Sequence, residues 1–381
     1  MGKIILGFKF RLYPNKEQAN LINRTLGSCR FVYNHFLATR RDEWFVNHHS
    51  LNLKDTMHLL TYLKRRTETS WLYDVDNIAL QQSLRDLDRA YQNFFKKRAR
   101  YPSFKKKHAN SQSYRTNNNK SIRKDGSIHY AIRIENSRIN LPKIGFVKIK
   151  QSRLFEGRIL NATISRIASG KYFVSPCVEM EKEKLQRTCG TREIGLDVGI
   201  KYFCTDHHGN VIENPRPLQK LSQKLKREQR RLARKFRGGV NREKNRIRVA
   251  NIYERIANIR KDFLHKLSTQ LIRENQTIAV EHLHIKGMLK NHKLARAISD
   301  VSWGEFFRQL EYKAKLSGAR ILKVDTFFPS SQTCSVCGFQ NTKVKSLAIR
   351  EWQCPECGTH HNRDKNAARN ILHKALELAS A

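Results

Sequence analysis

The chain contains 381 residues, of which 74 are Lys or Arg and 33 are Asp or Glu, so its formal net charge is +41. A hydrophobic content of 39% excludes wholesale disorder, and the lack of any apolar run near the ~18 to 20 residues of a spanning helix excludes a membrane protein. The positive charge attracts polyanions and favours nucleic acid as the partner, ahead of a membrane surface or a ribosome. Because the first ten residues also lack the pattern of a signal peptide, we expect a cytoplasmic protein.

The first predicted elements are a strand and a helical unit. Residues 8–12 alternate between apolar and basic side chains, as in a strand with one solvent-exposed face. Asn15 can then cap a helix, along which apolar residues at steps of four and three predict one buried stripe. The stripe consists of Ile22, Leu26, Cys29, Tyr33 and Phe36. Similar patterns around residues 57–63 and 80–94 predict two more helices.

Strand patterns return after these helices. Between residues 128 and 180, short segments with period two follow one another, which is typical of a small antiparallel barrel. Since the first strand has the same character, the helical unit is interpreted as an insertion into that barrel. We assign residues 1–14 to the first strand, residues 15–97 to the helical insertion and residues 98–182 to the barrel.

The second half of the chain changes to an α/β pattern. The predicted elements are two hairpin strands, a long helix, a strand, a helix and a strand, at residues 194–199, 202–205, 249–271, 277–281, 303–314 and 321–324. The long helix keeps one apolar face over six turns. Strands that alternate with helices in this way predict a separate α/β domain.

The strongest local signal is a pair of C-x2-C knuckles. They consist of Cys334, Cys337, Cys354 and Cys357. Two knuckles at this separation close a tetrahedral set of four thiolates around zinc. Because four protein ligands leave no open coordination position, the predicted zinc is structural and not catalytic. The nearby His360 and His361 are not needed as ligands.

Three carboxylates occupy the ends of predicted elements. Asp197 lies in the first hairpin strand, Glu281 ends another strand, and Asp364 opens the last helix. Mg²⁺ prefers oxygen ligands, and two such ions held together stabilise the attacking water and the leaving oxygen in phosphodiester cleavage. The sequence thus offers the three acids as catalytic Mg²⁺ ligands. Taken alone, each of them is more often a helix cap or a partner in a surface ion pair, and Asp300 and Asp325 are competing carboxylates.

The third pattern consists of a basic segment and of side chains that can hydrogen-bond to nucleobase edges. Residues 220–248 contain 13 basic residues against Glu228 and Glu243, and this single-signed charge predicts contacts with phosphates. The phosphate-binding candidates are Lys226, Arg227, Arg230 and Arg231. The candidates for reading bases, on the third helix and in the segment after it, are Asn77, Gln81, Tyr114, Thr116 and Asn117. A solvated helix face and ordinary loop residues remain the alternative interpretations.

Taken together, these residues make the chain similar to the TnpB (OrfB) family, which insertion sequences encode and which is related to type V CRISPR effectors. The resemblance covers almost the whole chain. Besides the four cysteines, it is carried by residues 11–14, 30–34, 195–199, 261–266, 281–283, 303–306 and 363–368. The ordered set is far more specific than any one of these motifs.

The resemblance implies a multidomain α+β fold. A wedge β-barrel with a helical recognition insertion would be followed by an RNase H-like (RuvC) nuclease domain that contains a zinc ribbon. It implies nuclease segments at residues 191–328 and 361–381, with the ribbon at residues 329–360. Carried over by position, the RuvC acids are Asp197, Glu281 and Asp364.

The resemblance also implies an activity: an RNA-guided DNA endonuclease of a transposable element, cutting double-stranded DNA beside a short target-adjacent motif. The implied cofactors are structural Zn²⁺, two catalytic Mg²⁺ ions and a guide RNA derived from the transposon, with no obligate protein partner. In such a system base pairing reads the target, so the protein reads only the adjacent motif.

Two other functions share parts of this pattern. A protein-only DNA-strand transferase has the same kind of carboxylates and needs no RNA. A non-enzymatic RNA-binding zinc protein needs only the charge and the ribbon. Activity without RNA would favour the transferase, and loss of the three acids without effect would favour the binding protein.

Overall fold

We describe the protein from a computed structural model, in which residues 2–107, 109–122, 126, 128–182, 188–346 and 348–380 are described. The chain divides into two compact units, unit 1 at residues 1–184 and unit 2 at residues 185–381. Along the described ranges, no helix has the length and apolar character needed to cross a membrane.

Unit 1 is built on an eight-stranded antiparallel sheet. The strands of this unit are β1 (Lys3–Gly7), β2 (Phe10–Tyr13), β3 (Ser111–Asn117), β4 (Lys120–Ile122), β5 (Ile128–Tyr130), β6 (Arg133–Glu135), β7 (Arg138–Leu141), β8 (Gly145–Lys150), β9 (Arg158–Ile167) and β10 (Tyr172–Glu181). The sheet has the order β3-β9-β10-β2-β8-β7-β6, β1 also pairs with β10, and β4 and β5 form a separate hairpin. The described pairings leave β3 and β6 as the ends of this path, so closure into a barrel stays a prediction.

The predicted first strand is longer than expected and is interrupted. Strands β1 and β2 both pair with β10 in one continuous register, with Gly7 opposite Cys177 and Phe10 opposite Val174. Between these pairs the Phe8 amide donates to the Pro176 carbonyl at 3.0 Å. Since proline has no N–H to donate in return, the ladder is interrupted at this point.

Three helices lie between β2 and β3, namely α1 (Lys16–Asn47), α2 (Leu53–Arg65) and α3 (Asn77–Phe95). Helix α1 begins as predicted, because Asn15 Oδ1 accepts from the Gln18 amide at 2.8 Å and the Gln18 side chain accepts from the Asn15 amide. All five residues of the predicted stripe are buried. The three helices therefore lie between two strands of one sheet.

Unit 2 contains a five-stranded mixed sheet. The elements in chain order are β11 (Arg192–Val198), β12 (Tyr202–Asp206), β13 (Val211–Glu213), α4 (Pro217–Ala233), α5 (Val240–Glu274), β14 (Asn275–Glu281), α6 (Ile285–Met288), α7 (Ala295–Val301), α8 (Trp303–Ser317), β15 (Arg320–Val324), β16 (Glu351–Gln353), β17 (His360–Asn362) and α9 (Arg363–Ser380). The sheet order is β13-β12-β11-β14-β15. Strand β12 is antiparallel to both β13 and β11, whereas β14 lies parallel to both β11 and β15.

Helices cover both faces of this sheet. Ile278 and Val280 of β14 pack with α5 and α8, whereas Ala279 packs with Ile371 and Leu372 of α9. Because side chains alternate along a strand, residues two positions apart share a face. The face that carries Ala279 is therefore the α9 face of the sheet.

Candidate active site and metal centre

Two of the three predicted acids project from the α9 face at neighbouring strand ends. Glu281 ends β14 and lies two residues after Ala279, which contacts α9. Asp197 lies near the end of β11, two residues after Gly195, which also faces α9. Strands β11 and β14 are parallel neighbours, so their carboxyl ends share one edge of the sheet. Asp364 lies in the first turn of α9.

The electrostatics show that these carboxylates are neighbours. Burial raises the pKa of Asp197 well above its usual range, and the charges of Glu281 and Asp364 raise it further. Arg363 and Arg350 oppose this shift. Burial also raises the pKa of Glu281, against a lowering contribution from the hydroxyl of Ser330.

Glu281 and Asp364 each have a polar side-chain partner. Ser330 Oγ donates to Glu281 Oε1 at 2.5 Å, and Arg350 Nη1 donates to both oxygens of Asp364 at 3.1 and 3.4 Å. Within the described ranges, the four cysteines alone form a group of His, Cys, Asp or Glu ligand atoms that all lie within 4.8 Å of one another. Asp197 and Glu281 thus share one edge of the sheet, and the three acids form a less compact group than the cysteines, as mutual repulsion between carboxylates favours.

The start of α9 is fastened to the segments on either side of the cysteine knuckles. The buried Arg363 donates to the carbonyl oxygens of Val344 and Ser346 at 2.7 and 2.6 Å. Asn366 donates to the Thr333 carbonyl and accepts from the Ser335 amide. These bonds fix the turn of helix that carries Asp364. Spacing in the sequence could not reveal Arg350, Ser330 or these contacts, because all of them join distant parts of the chain.

Gly195 allows β11 to approach α9 closely. A Cβ atom placed at this position would lie 2.2 Å from the Ala368 carbonyl oxygen and 2.7 Å from Leu372 Cβ. Real Cβ contacts essentially never fall below 3.0 Å. The absence of a side chain at Gly195 therefore sets the distance between the strand that carries Asp197 and the helix that carries Asp364.

The two competing carboxylates have other structural roles. Asp300 is buried, forms a 2.9 Å ion pair with Arg260, and accepts from the backbone amides of Leu218 and Gln219 at the start of α4. Asp325 is exposed and accepts from the Phe327 amide at 2.8 Å. The contacts of both carboxylates are thus explained by local hydrogen bonding and ion pairing.

The cysteine cluster has the size of a zinc site. The Sγ atoms of all four predicted cysteines lie within 4.8 Å of one another. The Cys334–Cys357 and Cys337–Cys354 pairs are each separated by 3.6 Å. Four Zn–S bonds of about 2.3 Å in a tetrahedron place the sulfur atoms roughly 3.8 Å apart, so the donors fit zinc.

Thr359 favours the thiolate form of one cysteine of this cluster. Hydrogen bonds from the Thr359 hydroxyl and amide lower the pKa of Cys357 to about 6. The buried His361 places Nε2 3.0 Å from Cys334 Sγ and packs against Trp352. His361 is thus a neighbour of one ligand rather than a member of the four-atom set, and His360 is exposed.

The base-reading candidates divide into accessible and buried residues. Gln81 is half-buried and lines a cleft between α2 and α3 together with His58 and Arg85. Asn77 is exposed and accepts from Lys64 at 2.9 Å, and Asn117 is half-buried.

Tyr114 and Thr116 require a correction. They point to the inner face of β3 and are only 5% and 1% exposed. This segment forms strand β3, in which alternate side chains are buried, so two of the five candidates lie in the interior. Neither residue can reach a base in this structure.

The four phosphate-binding candidates are exposed on α4. They lie on a helix that packs against α5 through Leu225, Val249 and Ile252. The buried Glu228 forms a 2.9 Å ion pair with Arg231 and lies 3.8 Å from Arg227. The positive charge is therefore partly neutralised along this helix, which the charge count alone did not predict.

Comparison with known proteins identifies related sequences over the entire chain. Residues 175–292 match the OrfB family described as "Probable transposase", and residues 303–371 match a Cas12f1-like TNB domain. Residues 1–47 match a helix-turn-helix domain of OrfB proteins, although this segment contains β1, β2 and α1 here.

Full-length relatives and a solved structure agree with these matches. A provisionally named RNA-guided DNA endonuclease of Streptomyces pristinaespiralis is 38% identical, over 100% of this chain and 92% of the relative. The provisionally named endonuclease InsQ of Escherichia coli K12 is 34% identical, over 97% and 92%. The protein in the cryo-EM structure of the Cas12f1–sgRNA–target DNA complex shares the fold at 13% identity, with a TM-score of 0.54 over 97% of this chain and 98% of the other. The identity and coverage of the two relatives show that the chain belongs to the TnpB (OrfB) family.

Proposed function

We propose that the protein is an RNA-guided endonuclease of a transposable element that cuts double-stranded DNA beside a short target-adjacent motif. The observation that carries this proposal is the placement of Asp197 and Glu281 at neighbouring strand ends, facing the helix that begins with Asp364. The names of the two full-length relatives support it. The net charge of +41 supports two nucleic-acid partners, a transposon-derived guide RNA and the target DNA.

The proposal includes an RNase H-like (RuvC) nuclease domain in unit 2. Three antiparallel strands followed by two parallel ones, with helices on both faces, support this assignment. In unit 1, the antiparallel sheet with its helical insertion supports a wedge barrel with a recognition insertion. We place the activity in the cytoplasm.

The donor set at the sheet edge fits Mg²⁺. Asp197, Glu281 and Asp364 offer hard carboxylate oxygens. Burial and then the charges of the other two acids raise the pKa of Asp197, and a divalent cation would relieve the repulsion among the three. Magnesium bound there supplies activation of water and stabilisation of the leaving oxygen.

The polar residues around the three acids orient their carboxylates or position the helix that carries Asp364. Ser330 orients the Glu281 carboxylate, and Arg350 orients that of Asp364. The bonds of Arg363 and Asn366 hold the first turn of α9 in place.

Recognition is assigned to accessible residues. Gln81, Asn77 and Asn117 are proposed to read the target-adjacent motif, because amide side chains pair with base edges. Lys226 and Arg230 are proposed to contact phosphates.

The test is to replace each acid with Ala in the full-length protein loaded with its RNA. Cleavage should fall by orders of magnitude for every variant, since residues that act as a unit are not additive, while target binding survives. Asp262→Ala is the matched control, because Asp262 is an exposed carboxylate on α5 paired only with Lys266 among the ion pairs of the described chain. Full cutting by Asp197→Ala would refute the site.

A further inference from the structure

Phe327 has an exposed ring that the fold does not use. Its side chain is 90% exposed, more than any other aromatic residue in the part of the chain that the structure describes. The adjacent Phe328 instead packs with Val324 and Ile371 in the core between the sheet and α9. Burial of Phe327 therefore contributes nothing to the core.

The loop that carries Phe327 is fastened to the end of β14. Thr326 Oγ1 donates to the His282 carbonyl, and Ser330 Oγ donates to Glu281. The Phe327 amide donates to Asp325 Oδ1 at 2.8 Å, and Val324 is the register partner of Glu281. Hydrogen bonds from Thr326, before Phe327, and from Ser330, after it, thus fasten this loop to His282 and Glu281. They hold the loop of Phe327 at the sheet edge that carries Glu281.

An aromatic ring held in water beside a nuclease site suits one kind of ligand. Every nucleobase has a flat face, and stacking of a base on an aromatic side chain typically changes affinity by about 5- to 150-fold. Such stacking requires an unpaired or unstacked base, as in a displaced or separated strand. Exposed His284 and Lys286 lie three and five residues after the end of β14.

We propose that Phe327 is a positioning residue whose ring stacks on an unpaired base of the DNA strand that is cut. The proposal rests on the proposed nuclease function and deepens it. The stack would place the phosphodiester at the acids without contacting the reacting atoms. Stacking needs a flat aromatic ring, so Phe327→Tyr should preserve the stack and Phe327→Leu should abolish it.

The experiment uses the full-length protein loaded with its RNA, and DNA that carries 2-aminopurine at successive positions around the cut. In EDTA, where the DNA stays intact, wild type and Phe327→Tyr should quench the fluorescence at one position through stacking. Phe327→Leu should not. In Mg²⁺, Phe327→Leu should lower the cleavage rate at saturating protein about tenfold and broaden the cut positions.

Phe236→Leu is the matched control, since Phe236 is 84% exposed on the connection between α4 and α5. The melting temperature of all variants should match that of wild type, because both rings are exposed. Identical quenching, rate and cut positions for wild type and Phe327→Leu would overturn the inference while leaving the nuclease function intact; this result would favour a protein partner for the ring. Absence of RNA-dependent cutting by wild type would overturn both.

Discussion

Replacing Gly195 with Ala should separate the two elements that carry the catalytic acids. The new Cβ would lie 2.2 Å from the carbonyl oxygen of Ala368 on α9, where no real Cβ contact falls below 3.0 Å. Because this neighbour is a backbone atom, a side-chain rotation cannot relieve the clash. Strand β11 and helix α9 must therefore move apart by at least the difference between 3.0 and 2.2 Å, about 0.8 Å.

This displacement sets the expected magnitude. Asp364 lies one helical turn before Ala368, so a shift of α9 moves it away from Asp197 by a similar distance. A misplacement of about 1 Å can cost about 100-fold in rate. Overpacking costs roughly 1 to 3 kcal/mol, which lowers the melting temperature of a unit of this size by roughly 2 to 12 °C.

The assay compares Gly195→Ala with Gly304→Ala, in which the new Cβ would meet Ile285 Cδ1 at an ordinary 3.4 Å. Both purified proteins are loaded with RNA, and cleavage is measured after confirming equal zinc content and equal RNA binding. Gly304→Ala should cut at the wild-type rate, whereas Gly195→Ala should be slower by about two orders of magnitude. Cutting by Gly195→Ala within twofold of wild type would refute the view that this contact sets the acid spacing.

Three further predictions concern the metal centre, the acids and the recognition surface. Cys354→Ser should lose the zinc that metal analysis finds in wild type and destabilise the ribbon, because zinc binding energy is folding energy; a soluble, active wild-type preparation without zinc would contradict this. The raised pKa of Asp197 means that its ionisation destabilises the folded state as pH rises above the ordinary aspartate pKa of about 4. In EDTA, Asp197→Asn should therefore melt at a higher temperature than wild type, with a gap that grows from pH 4 upward and shrinks when Mg²⁺ is added; a gap independent of pH would argue against it. In a randomised motif library, Gln81→Ala should relax the preference at one position by roughly 1 to 3 kcal/mol, whereas Lys226→Ala or Arg230→Ala should weaken binding to every sequence and reduce its salt dependence. Identical motif profiles and salt dependence for all three variants and wild type would show that these assignments are wrong.

Local patterns predicted the parts of the fold that depend on neighbours in sequence. The stripe from Ile22 to Phe36 is buried because helical periodicity alone decides which side chains share a face. The cysteine knuckles form a compact cluster because each pair lies in one tight turn. The helical insertion between β2 and β3 followed from the similarity of the strands on either side.

Other features depend on contacts between distant segments and could not be read from spacing. Tyr114 and Thr116 appeared as polar loop residues because β3 has few apolar side chains, and only its pairing with β9 shows which face is buried. The partners of the acids, Ser330 and Arg350, lie far from them in sequence. The position of Asp364 depends on bonds from α9 to the segments around the knuckles.

The most direct test of the proposed function is the dependence of DNA cleavage on RNA. The purified protein is incubated with a matched target plasmid together with its cognate RNA, a scrambled RNA or no RNA, each in Mg²⁺ and in EDTA. We expect cutting of both strands only with cognate RNA and Mg²⁺. Equal cutting without RNA would contradict guidance by RNA and favour a protein-only strand transferase, and no cutting under any condition would contradict the nuclease itself.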